Sequence, residues 1–60
     1  MKLSKLNEAL EGTKISVEHL ADKAGVSAST IFRAKSGGDV NTNTAKRIAS
    51  ALRVNLEVLI

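Results

Sequence analysis

The sequence predicts an all-α fold, a compact domain of five short helices, and three observations carry that prediction. Apolar residues recur at steps of three and four almost throughout, the spacing of one helix face rather than of a strand. Proline, the strongest helix breaker, is absent. Residues that cap helix starts and ends stand at the joints between the apolar stripes.

Taken in order, Leu3, Leu6 and Leu10 mark the buried face of a first helix, which Gly12 and Thr13 end. Ile15 leads into Ser16, an N-cap residue whose hydroxyl can accept a free backbone N–H. Val17, Leu20, Ala21 and Ala24 form the second stripe, and Gly25 follows it as the glycine just past a helix end. Val26 is apolar, Ser27 is the next N-cap, and Ile31 and Ala34 mark the buried side of a third helix that stops at Gly37-Gly38. The stretch "GGDVN" is loop chemistry. Asn41 caps a fourth helix with Ala45, Ile48, Ala49 and Leu52 on its apolar face. Arg53 stands where a glycine is expected, so a left-handed backbone there carries a cost. Asn55 caps a last short segment, "LEVLI". With no repeat, linker or low-complexity tract, residues 1–60 read as one domain.

Composition narrows the function classes. A chain of 60 residues has a thin core and gains no disulfide or thiolate metal site, because it has no cysteine. One histidine cannot build a metal cage. No apolar run approaches the roughly 18 residues of a membrane span, and "MKLSKLNEAL" lacks the apolar core of a secretion signal. The absence of cysteine fits a reducing cytoplasm. Nine Lys and Arg stand against six Asp and Glu, for a net charge of +3 and a pI near 9.7, which leans toward nucleic acid as a partner. Phe32 is the single aromatic residue. A reader of unpaired bases needs several stacking rings, so single strands and RNA are disfavoured. An enzyme is excluded for want of chemistry: the chain has one histidine, no cysteine, no glycine-rich phosphate loop of the usual form and, at this length, no expected room for a pocket. No cofactor, metal or small-molecule substrate is implied.

The stretch 17–36 has the layout of a helix-turn-helix: two helices joined by a three- or four-residue turn containing glycine. Steeply crossing helices bring their backbones close, and Ala21 is small enough for that crossing. Four residues on, Gly25 takes a left-handed turn without penalty. Leu20, Val26 and Ile31 are placed to lock the second helix onto the first. The outward side of the second helix, with Ala28, Ser29, Arg33 and Ser36, is left free of large core residues.

The run "SVEHLADKAGVSASTIFRAKSG…AKRIASALRVNLEVL" resembles the lambda-repressor/Cro-like helix-turn-helix family, often called XRE. The resemblance runs from Leu6 to Leu59. It is carried by Ser16, Leu20, Ala21, Gly25, Val26, Ser27, Thr30, Ile31 and Arg33, and by Ile48, Ala49, Ala51, Leu52, Val54 and Leu56. It implies the five-helix, lambda-repressor-like domain and a recognition helix in the DNA major groove, reading base edges through Ala28, Ser29, Phe32 and Arg33. Arg33 suits guanine, to which a guanidinium bonds twice; its alternative is a phosphate contact. Phe32 either meets thymine methyls or folds over the core edge. Backbone phosphates fall to Ser16, Val17, Ser27, Thr30, Lys35, Asn41, Asn43 and Lys46, with Lys14 nearby. Lys2, Lys5 and Lys23 are assigned to solvent, and His19 has no chemical role. The chain departs from the family pattern in a short first helix without a basic opening. It also carries Val17 where a polar residue is common, and Phe32 where a small or polar one is.

The resemblance therefore implies a sequence-specific double-stranded DNA-binding transcriptional regulator of repressor or Cro type, bacterial or phage, cytoplasmic and associated with the nucleoid. Because one module makes few base contacts, a homodimer on a palindromic operator follows, with Leu56, Val58, Leu59 and Ile60 as the dimer patch. The competing reading is a protein-interaction module of the same fold, an antitoxin or assembly domain, which does not read DNA.

Overall fold

A computed structural model describes all residues, 1–60. It has four α-helices and no strands: α1 (Leu6–Thr13), α2 (Val17–Ala24), α3 (Ala28–Lys35) and α4 (Thr42–Leu52). The expected fifth helix is a single 3-10 turn, Leu56–Val58. Its bonds are of the tighter i→i+3 kind, from Val58 N–H to the Asn55 carbonyl and from Leu59 N–H to that of Leu56. The Asn55 side chain makes no cap there. The segment is held short because Leu59 must enter the core, where it is fully buried, and its carbonyl accepts the Lys5 N–H at 2.8 Å.

Each helix start and stop follows from a named residue. Ser16, Ser27 and Asn41 accept the N–H of His19, Thr30 and Thr44 at 3.1, 3.3 and 2.7 Å respectively. Gly25, Gly37 and Arg53 end α2, α3 and α4 in left-handed conformations. All three ends close in one pattern, the paired bonds of a Schellman cap: Val26 to Ala21 with Gly25 to Asp22, Gly38 to Arg33 with Gly37 to Ala34, and Val54 to Ala49 with Arg53 to Ser50. The first helix ends at Thr13, as its sequence predicts, and its C-cap Lys14 is also left-handed at φ 55°. For Lys14 and Arg53 that backbone costs on the order of 1–2 kcal/mol each, a cost glycine avoids.

The fourteen buried residues are all apolar, and no buried side-chain polar atom lacks a partner. The core holds no aromatic ring. Alanines at 21, 24, 34, 45 and 49 let the helices approach closely around Leu6, Leu20, Ile31 and Ile48. α2 packs on both α3 and α4, and α1 rests on α3. Leu3 is buried but precedes the helix it was assigned to. It lies beside a short antiparallel bridge between Lys2 and Asp39, where Met1 and Val40 exchange two backbone bonds of 2.9 Å. Val40, within the expected loop, is thereby a core residue. No helix is long and apolar enough to cross a membrane.

Candidate nucleic-acid interface

α2, the Gly25 turn and α3 form the helix-turn-helix. Ala21 is buried at the crossing, and Gly25 has φ 72°. A Cβ on Gly25 would meet the Arg47 guanidinium at 3.3 Å, so Arg47 lies across the turn. α3 buries Ile31 and Ala34 and leaves Ser29, Phe32 and Arg33 exposed. Phe32 is 52% exposed, so its ring stands off the core edge. The Lys35 ammonium lies over that ring, 5.9 Å from its centre, a cation–π pair three residues apart on one helix. The Lys35 carbonyl accepts a bond from Asn7 Nδ2 at 3.4 Å, which ties α3 to α1.

Arg33 is steadied by its own loop. Gly38 leaves room for the arginine stem: a Cβ there would fall 2.5 Å from Arg33 Cγ. This role of Gly38 went unread in the sequence, where it was loop chemistry only. Because it depends on space rather than on φ, the dipeptide Gly37-Gly38 could have signalled it only through its closeness to α3.

Two of the residues assigned to DNA pack against the core. Ala28 is half-buried and packs against the core, because the first turn of α3 leans on the domain. Val17 likewise packs its side chain inward, so only its backbone N–H is left for an anion. Ser16, Ser27, Asn41, Asn43 and Lys46 are exposed, Thr30 and Lys35 half-buried. The Ser27 and Thr30 hydroxyls lie 3.0 Å apart and bond one another. The first turns of α3 and α4 carry no acidic residue, whereas those of α1 and α2 carry Glu8 and Glu18. An anion is therefore favoured at the starts of α3 and α4 and opposed at that of α2. In the terminal patch, Val58 and Ile60 are 48% and 46% exposed and Leu56 is half-buried. Leu59 is the correction: it is fully buried in its own domain and has no surface to offer a partner.

A family model described as helix-turn-helix matches residues 3–59, nearly the whole chain. The chain belongs to that family. It is a DNA-binding helix-turn-helix of the lambda-repressor/Cro-like, XRE kind, a regulatory family that is generally non-enzymatic. No group of three or more His, Cys, Asp and Glu is placed to hold a metal. A search of the curated proteins and a search of the solved structures each return no match.

Proposed function

We propose that this helix-turn-helix domain is a sequence-specific transcriptional regulator of repressor or Cro type that inserts α3 into the major groove of double-stranded DNA. The supporting observation is the outward face of α3. It holds Ser29, Phe32 and Arg33 clear of the core, and Arg33, its stem seated on Gly38, is of the residue type that bonds guanine twice. Ser27, Thr30, Asn41, Asn43 and Lys46 flank that face at the acid-free starts of α3 and α4 and take phosphates. Ser16, the Val17 N–H and Lys35 are secondary contacts. Two copies bind a palindromic operator through Leu56, Val58 and Ile60, with Leu59 supporting the patch from beneath. Such a protein works in the cytoplasm, on the nucleoid.

Selection of bound sequences from a random duplex pool tests the reading. A defined operator with two related half-sites is expected. A pool that returns unenriched, with binding that only tracks salt, would falsify sequence-specific recognition. One observation favours the second reading, a protein-interaction module: Phe32, a large exposed ring, is the residue type that anchors protein interfaces. Loss of a protein partner, with duplex binding intact, in Phe32→Ala would support it.

A further inference from the structure

The two non-glycine residues with left-handed backbones, Lys14 and Arg53, line one open cleft of about 760 Å³ between the α1–α2 loop, α2 and the end of α4. Lys23 and His19 share its rim, and Ile15, Ala51 and Leu52 give it an apolar side. An adjoining hollow of about 360 Å³ shares Lys23 and Arg53 and adds Arg47. No Asp or Glu lines either one, and neither does any residue of α3.

The charge of the protein is concentrated here. Lys14, Lys23, Arg47 and Arg53 are four of its nine Lys and Arg. The other five, Arg33 and Lys35 of α3 among them, are spread along the chain with the six acidic residues. None of the four cations is paired, because the structure's one ion pair joins the Met1 amino group to Asp39. Like charges gathered without partners repel each other, and a concave wall of one sign focuses its field on an oppositely charged ligand.

The backbone supports the same conclusion. Glycine closes α2 and α3 at φ 72° and 87°, and it would close α1 and α4 equally well. At those two ends the chain instead holds a cation in a strained conformation, and both cations face one cleft. Two such residues lining one cleft make it a candidate site. The cleft is wide and open to solvent, so it holds a ligand by charge rather than by enclosure, and its apolar side suits a compact ligand better than the backbone of a duplex. Lysine and arginine together recognise phosphate oxygens through charge-assisted bonds.

We propose that this cleft binds a small molecule carrying two or more linked phosphate groups. The cleft includes Ser16, a secondary phosphate contact in the DNA reading, but no residue of α3, so it is tested apart from the base-reading face. The experiment titrates the isotope-labelled protein with inorganic tripolyphosphate at constant ionic strength and follows each backbone amide. Saturable shifts at Lys14, Lys23, Arg47 and Arg53, with Ser29 and Arg33 unmoved, are expected. Lys14→Gly and Arg53→Gly are the decisive variants, since each removes a cation while relieving strain. Each is expected to melt no lower than the parent and to bind tripolyphosphate at least threefold more weakly. ATP in a parallel titration identifies the source. Tighter binding with methyl shifts at Ile15, Ala51 and Leu52 supports a nucleotide; equal affinity supports the bare phosphate chain. Shifts that never saturate, shifts spread evenly over Lys2, Lys5, Arg33 and Lys46, or glycine variants that bind like the parent would overturn the site. So would duplex DNA perturbing the cleft residues where tripolyphosphate does not.

Discussion

Arg33 and Gly38 are in contact: the Gly38 N–H donates to the Arg33 carbonyl at 2.9 Å, and the arginine stem fills the place of the missing side chain. A methyl group there would push the stem away from α3. Gly38→Ala is therefore expected to lower operator preference while leaving non-specific DNA binding near the parent's. Gly37→Ala is the control. It meets no neighbour but has φ 87°, so it is expected to cost about 1 kcal/mol of stability with preference unchanged. Melting curves and binding to matched and scrambled duplexes separate the two.

Arg33→Ala and Lys46→Ala are expected to behave differently. The first loses on the order of 1–3 kcal/mol on the preferred site and relaxes one base position. The second weakens all sequences alike and lowers the salt slope by about one unit. Both variants are measured on both duplexes at two salt concentrations. Equal losses for Arg33→Ala on preferred and scrambled DNA would remove its reading role.

The crossing of α2 with its neighbours leaves no space at Ala21, which is 5% exposed. Ala21→Leu is expected to cost roughly 1–3 kcal/mol through overpacking. Gly25→Val forces a β-branched residue to positive φ and presses on Arg47, so its loss should be at least as large. Thermal melts of a domain this small resolve such changes, about 4–8 °C per kcal/mol. A variant melting within a degree of the parent would contradict the placement of the turn.

At the C-terminal end, buried Leu59 sits between exposed Val58 and Ile60, so neighbouring residues separate folding from assembly. Leu59→Ala empties a fully buried position and is expected to cost roughly 2–5 kcal/mol, enough to unfold much of a small domain. Val58→Asp and Ile60→Asp change exposed residues and should leave the melt within about 0.5 kcal/mol of the parent while abolishing self-association. Sedimentation at high micromolar concentration, alongside melting, checks both. A parent that stays monomeric with and without DNA excludes the dimer.

Local signals explain what the sequence made legible. Ser16, Ser27, Asn41 and Gly25 each act within three to five residues of themselves, and the stripes on α2, α3 and α4 repeat at the helical period, so these helices could be placed from the chain alone. Leu3 is buried as expected but outside the helix, and the burial of Val40 and Leu59 was not legible, because all three are held by partners far along the chain, through the Lys2–Asp39 bridge and the Lys5–Leu59 bond. A lone apolar residue in a polar loop, as at Val40, was the one available hint. Lys23 and Arg47 look like ordinary solvated residues in sequence, since nothing local shows that α2 and α4 set them at one cleft.

The bond between the Lys5 N–H and the Leu59 carbonyl joins residues separated by nearly the whole chain, and so has a consequence for kinetics. The helix-turn-helix can assemble from near neighbours, but this closure requires both end segments to be in place at once. Forming it incurs the loop-closure entropy of the full chain length, and such distant pairings form late. The Lys5 amide should thus exchange with solvent deuterium whenever either end segment lifts, even while α2 and α3 remain paired. Its exchange rate measures a partial opening of the domain that a melting curve does not resolve.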